Sequence, residues 1–162
     1  MKAARFLILI FISLIFNVAQ AQINYAHFIQ QARLDLTEGR FKEGISGLNV
    51  AIAAKPENFE GYFLRGLAKF SLEDFTGAIT DFDKTLEIHP MYVRALQYRA
   101  VCNDRLGNLD EALTDFRRAI DLDPFDADLF FARGITYLHL NRYQAAIDDY
   151  DMVLTIDNKM SL

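Results

Sequence analysis

Positive charge is scarce in this chain of 162 residues: 17 Lys plus Arg face 22 Asp plus Glu, for a net charge of −5. That balance removes the clustered basic excess by which nucleic acid is held, so a DNA or RNA partner is excluded. The single cysteine, Cys102, cannot form an internal disulfide and is expected to serve packing. Three prolines and eight glycines are too few for a collagen-like chain or a linker, and a hydrophobic content of 52% excludes disorder and suffices for one buried core. Catalytic signatures are missing as well. There is no phosphate-cradling glycine loop, no nucleophile elbow, and no HExxH or CxxC spacing. The expectation is a non-enzyme without cofactor or metal.

The chain opens with a segment that does not belong to the fold. Lys2 and Arg5 precede the apolar run Phe6 to Phe16, and Ala19-Gln20-Ala21 places small residues where a signal peptidase reads them. An uncleaved anchor is the alternative, but this run falls short of the roughly 20 residues a helix needs to span a bilayer. Residues 1–21 are therefore predicted to be a secretory signal peptide, and 22–162 the mature domain. Gln22 would lead that domain, so a lipid-modified N-terminal cysteine is not indicated. Loss of Lys2 and Arg5 with the leader makes the chain more acidic, from −5 to −7. The expected location is the periplasm or cell envelope, or outside the cell, with no stable membrane insertion after cleavage.

What the chain has in abundance is self-similarity. Pro56, Pro90 and Pro124 lie 34 residues apart, and segments 25–58, 59–92, 93–126 and 127–160 align without gaps. Each divides into two helical patterns around a short turn, such as Gly61 to Leu72 and Thr76 to Ile88 around Glu73-Asp74-Phe75. One small column, Ala32, Gly66, Ala100 and Gly134, lies on the first helix, and another, Gly44, Ala78, Ala112 and Ala146, lies on the second. Small residues there let two helix backbones approach closely. The columns Phe28, Tyr62, Leu96, Phe130 and Leu48, Phe82, Phe116, Tyr150 supply the bulk around that contact, while Phe41, Phe75, Leu109 and Tyr143 close the turn. The prolines end the second helices, and Asn58 and Asp126 are placed to cap the helices that follow.

This period and these columns resemble the tetratricopeptide repeat family over residues 25–160. The match is best in copies two and three, as in Arg65-Gly66, Ala78-Ile79-Thr80-Asp81-Phe82, Leu86-Glu87-Ile88-His89-Pro90 and Leu106-Gly107-Asn108-Leu109-Asp110-Glu111-Ala112-Leu113. The family's frequent first-helix tyrosine is kept only at Tyr137, and Asn158 stands where a fourth proline would be. The resemblance implies an all-α, right-handed superhelical solenoid with a concave groove, acting as a scaffold for protein binding.

Two further sets of residues follow from the alignment. Arg65, Arg99 and Arg133 share one column and Asp81, Asp115 and Asp149 another, while copy one has Gln31 and Gly47 in both places. The two columns change together, which favours structural ion pairs within each hairpin over free functional charges. The stripe of each first helix opposite the small column should line the concave side. The candidate groove residues are Phe63, Leu67 and Phe70 in copy two, Arg94, Tyr98, Val101 and Arg105 in copy three, and Phe131, Ile135 and His139 in copy four. Leu67, Val101 and Ile135 are equally suited to packing between copies. An apolar groove with a basic centre suits an extended peptide or a partner helix.

Some family members hold the C-terminal carboxylates of chaperones with basic and amide side chains on this stripe. Here Ile29, Arg33, Leu64, Arg94 and Tyr98 occupy those places, and only the arginines suit that task. His27, His89 and His139 share no spacing, and the run Asp148, Asp149, Asp151 reads as a solvated face rather than a cation site. The alternative to groove binding is assembly through the ends of the array. Tyr137, Tyr150, Val153 and Leu154 would face a fifth copy, so self-association through the C-terminal repeat, or continuation in a longer repeat protein, is expected there.

Overall fold

A computed structural model describes residues 25–160, and everything structural below refers to these. The signal peptide expected over residues 1–21 lies outside them. The described residues form eight helices and no strand: α1 (25–37), α2 (Phe41–Ala54), α3 (Phe59–Ser71), α4 (Phe75–Ile88), α5 (Val93–Arg105), α6 (Leu109–Leu122), α7 (Ala127–His139) and α8 (Tyr143–Met160). They pair in chain order as four antiparallel hairpins, each stacked on the next, in an all-α superhelical array.

Local chemistry sets the boundaries. α3 begins two residues before Gly61 because the Asn58 side chain accepts the Glu60 backbone N–H at 2.9 Å. Asp126 does the same for Asp128 at 2.9 Å, and Asp74 caps α4 by accepting the N–H of Gly77 at 3.0 Å. Helices α2, α4 and α6 stop two residues before Pro56, Pro90 and Pro124, as the geometry before a proline requires. Within each hairpin the turn passes through the left-handed region at one repeated position: Gly39, Glu73, Gly107 and Asn141 have φ of 75°, 60°, 83° and 57°. The following N–H then closes back on the first helix, as when Asp74 donates to the Lys69 carbonyl at 2.9 Å.

The small columns mark where the helices of a hairpin touch. A Cβ added at Gly66 would stand 2.6 Å from the Phe82 ring, and one at Gly134 would stand 2.6 Å from Tyr150. Glycine at these two positions lets a second-helix aromatic ring lie directly on the first-helix backbone. Leu48, Phe82 and Phe116 are fully buried there, each burial stabilising the array by about 1.5–3 kcal/mol. A central cluster joins Phe63, Phe82, Leu86, Leu96, Cys102 and Leu129 across the second to fourth hairpins, and another joins Ile29, Leu48 and Leu64 across the first and second.

Candidate interaction groove and charge ladder

Successive first helices touch one another, α3 with α5 and α5 with α7, whereas no two second helices among α2, α4, α6 and α8 do. The first helices therefore line the inner, concave side of the curl and the second helices its outer side. Two clefts open on the concave side. One of about 520 Å³ lies between α1, α3 and the start of α5, bordered by Arg33, Glu60, Leu67, Tyr92 and Arg94. The other, about 200 Å³, lies between α5 and α7 and is lined by Val101, Asp104, Arg105, Ala132, Ile135 and His139, with Phe116 of α6 at its floor.

The groove residues expected from the sequence divide by burial. Arg94 and Arg105 are exposed, and neither forms an ion pair among the described residues. Leu67, Phe70, Tyr98, Val101 and Ile135 are half-buried. His139 is exposed, and its Nδ1 lies 3.0 Å from the Asp104 carboxylate. Phe63 requires a correction. Only 3% exposed, it is core, packed edge-on against Tyr92 at 4.9 Å and close to Phe82 at 6.0 Å, with the Arg94 guanidinium 5.3 Å over its ring. The third hairpin covers it, and periodicity along one helix cannot register a neighbour that arrives from the next copy. Phe131 is the converse case. It is 53% exposed although Ile29 and Phe63, its equivalents, are covered by the hairpins that follow them.

The places of the carboxylate-holding residues are filled differently. Ile29 and Leu64 are buried, and Arg33 pairs with Glu60, which also accepts from the Tyr25 hydroxyl at 3.4 Å. Burial first, and then the negative charge of Glu60, hold the Tyr25 phenol well above its usual range.

The Arg and Asp columns meet inside the hairpins. Arg65 grips Asp81 through Nε and Nη2 at 3.0 and 2.6 Å, Arg99 grips Asp115 at 2.7 and 2.6 Å, and Arg133 grips Asp149 at 2.9 and 2.6 Å. The hydrogen bond to Asp115 is the largest influence raising the Arg99 pKa above its ordinary value. A second half of the arrangement was not read from the sequence. Arg65 Nη1 also donates to Asn49 on α2 at 2.6 Å, and Arg99 Nη1 donates to Asp83 on α4 at 2.6 Å. Each arginine thus ties its own hairpin to the preceding one. The signal lay in the column Asn49, Asp83, Arg117, Asp151, whose third member breaks the pattern: Arg117 stands where an acceptor for Arg133 would, and its side chain donates instead to the Leu113 carbonyl and the Thr114 hydroxyl of its own helix.

Cys102 is fully buried, and burial pushes its thiol up to about 12, leaving no thiolate nucleophile. Among the described residues no group of three or more His, Cys, Asp or Glu is placed to hold a metal ion. Asp149 is engaged by Arg133 and Asp148 by Gln144 at 2.9 Å, while the His89 ring lies against Phe59 and Tyr92. No helix of the described residues is long and apolar enough to cross a membrane.

The sequence profile of the tetratricopeptide repeat family matches residues 29–93, 63–127 and 104–161, with ends that fall one 34-residue period apart. The chain belongs to the tetratricopeptide repeat family. Its relatives include human peptidyl-prolyl cis-trans isomerase FKBP4, 33% identical over 88 residues, which are 54% of this chain and 19% of that protein. The chain therefore spans about a fifth of that relative's length. Among solved structures, the tetratricopeptide array superposes on MamA with a TM-score of 0.81 at 17% identity, covering 85% of this chain and 81% of that one. It also superposes on the first such domain of Spaghetti (RPAP3), solved with the HSP90 peptide SRMEEVD, with a TM-score of 0.71 at 21% identity over 73% and 94% of the two chains. At these identities the likeness is one of fold.

Proposed function

We propose that this chain is an exported scaffold that holds a protein or peptide in its concave groove. The observation that carries the reading is the pair of exposed arginines, Arg94 and Arg105, which stand without ion pairs beside apolar clefts in a chain that is acidic overall. Unlike Arg65, Arg99 and Arg133, neither is held by a carboxylate, and Arg94 only lies over the Phe63 ring. The fold supports the same reading, since the RPAP3 domain was solved holding a peptide. Export is supported by the leader-like residues 1–21, and a product beginning at Gln22 is expected from N-terminal sequencing of the secreted protein. Retention of residues 1–21 on a membrane-bound species would overturn export in soluble form.

Affinity capture from the native compartment, with partners identified by mass spectrometry, tests the groove. Arg94→Glu together with Arg105→Glu should abolish capture while circular dichroism stays unchanged. Undiminished capture would move the interaction elsewhere.

A second reading, assembly through the C-terminal face, is favoured by one observation. Ile147 and Leu154 are 51% and 60% exposed, whereas Leu113 and Leu86 in the same columns are 5% and 7% exposed under a following hairpin. Sedimentation across a concentration range should then show association that Leu154→Glu abolishes; a monomer at all concentrations would remove this reading.

A further inference from the structure

The cleft between α5 and α7 has a counterpart one repeat earlier. Subtracting 34 from each lining residue gives a set in the second and third hairpins that includes Phe82 for Phe116, Phe70 for Asp104 and Tyr98 for Ala132. In that earlier junction the Tyr98 ring fills the space, stacked on Phe82 at 6.0 Å and edge-on to Phe70 at 5.4 Å. In the later junction Ala132 is too short to do so, and the cleft of about 200 Å³ remains. At its base lies an edge of the Phe116 ring, itself buried in the place of Phe82.

We propose that this cleft is a receptor for one tyrosine side chain of an acidic peptide, deepening the groove reading on which it rests. Three features select the occupant. The apolar walls of Val101, Ala132 and Ile135, with an edge of the buried Phe116 ring beneath them, suit a flat apolar side chain in the place that Tyr98 takes one repeat earlier. Asp104, standing where Phe70 meets Tyr98, is an acceptor whose side chain is only 8% exposed and has one oxygen engaged by His139. A phenylalanine would bury that carboxylate without giving it a donor, whereas a tyrosine hydroxyl donates to it. At the mouth Arg105 is exposed and without an ion pair, which favours a glutamate or aspartate beside the tyrosine.

The test uses fluorescein-labelled nonapeptides carrying one central residue flanked by glutamates, titrated with the purified chain and followed by anisotropy. The tyrosine peptide should bind, the phenylalanine peptide more weakly, and the alanine peptide about tenfold more weakly or worse. Ala132→Tyr places in the cleft the side chain that copy three already accommodates, so it should weaken binding about tenfold without lowering the thermal midpoint. Ala132→Leu, the residue of copy two at Leu64, repeats the block should the tyrosine variant fold poorly. Arg105→Glu should reverse the preference toward lysine-flanked peptides. Equal affinity for the tyrosine and alanine peptides, no binding by the unaltered chain, or unchanged binding by folded Ala132→Tyr and Ala132→Leu would each overturn the proposal. The groove reading fails separately, if Arg94→Glu with Arg105→Glu leaves partner capture intact.

Discussion

Asp115 is held by two short hydrogen bonds from Arg99, whose remaining nitrogen reaches Asp83 on the preceding hairpin. With the aspartate side chain 6% and the arginine 19% exposed, removing either partner leaves a largely desolvated charge. Arg99→Ala is expected to cost about 3 kcal/mol in chemical denaturation, and adding Asp115→Ala should cost less than the sum of the single changes. Additivity would mean that the two side chains do not act as a pair. Arg99→Lys should restore only part of the loss, because an ammonium cannot satisfy Asp115 in bidentate fashion and reach Asp83 as well. The intrahairpin half was legible because both columns are absent together from copy one. The link to Asp83 was not, since position 83 carries Asn, Asp and Arg in its successive equivalents Asn49, Asp83 and Arg117.

At the scale of the element, each hairpin depends on a turn that enters the left-handed region once. Gly39 and Gly107 do so freely, and Asn141 does so at modest cost, but Glu73 holds φ of 60° with a side chain that gains nothing there. Glu73→Gly is expected to raise stability by about 1 kcal/mol, read as a shift in the denaturation midpoint with an unchanged slope. A loss would show that the Glu73 side chain contributes more than its backbone strain costs. Helix ends were readable where a side chain does the work, as at Asn58 and Asp126, and from the prolines. The start of α5 was not, because Tyr92 occupies its N-cap without a side-chain hydrogen bond.

For the whole molecule, the junctions are unequal. Arg65 with Asn49 and Arg99 with Asp83 fasten the first three hairpins, while at the last junction Arg117 replaces the acceptor and Arg133 hydrogen-bonds only to Asp149 among the described residues. That junction also holds the cleft left by Ala132, and on its concave side it is bridged by Asp104 and His139. The fourth hairpin is thus expected to be the least firmly attached. Arg117→Asn, which copies Asn49, and Arg117→Asp, which copies Asp83, should each stabilise the array by roughly 0.5–1 kcal/mol. They should also slow hydrogen exchange in α7 and α8 more than in α1 and α2. Uniform or absent slowing would show that the ladder does not limit this junction.

The 34-residue period, the small columns and the prolines determine by themselves that the chain is a stack of helical hairpins, since these features act within a hairpin and recur in every copy. Which residues end up exposed depends on the neighbouring copy, and only the tertiary structure decides that. Phe63 and Phe131 occupy equivalent positions on equivalent helices, yet one is core and the other open, because a third hairpin lies over the first and nothing described lies over the second. The cleft at Ala132 has the same origin. A small residue in an alignment column is visible in the sequence, but it becomes a cleft only where stacking brings it opposite a neighbouring helix whose side chains do not fill the space.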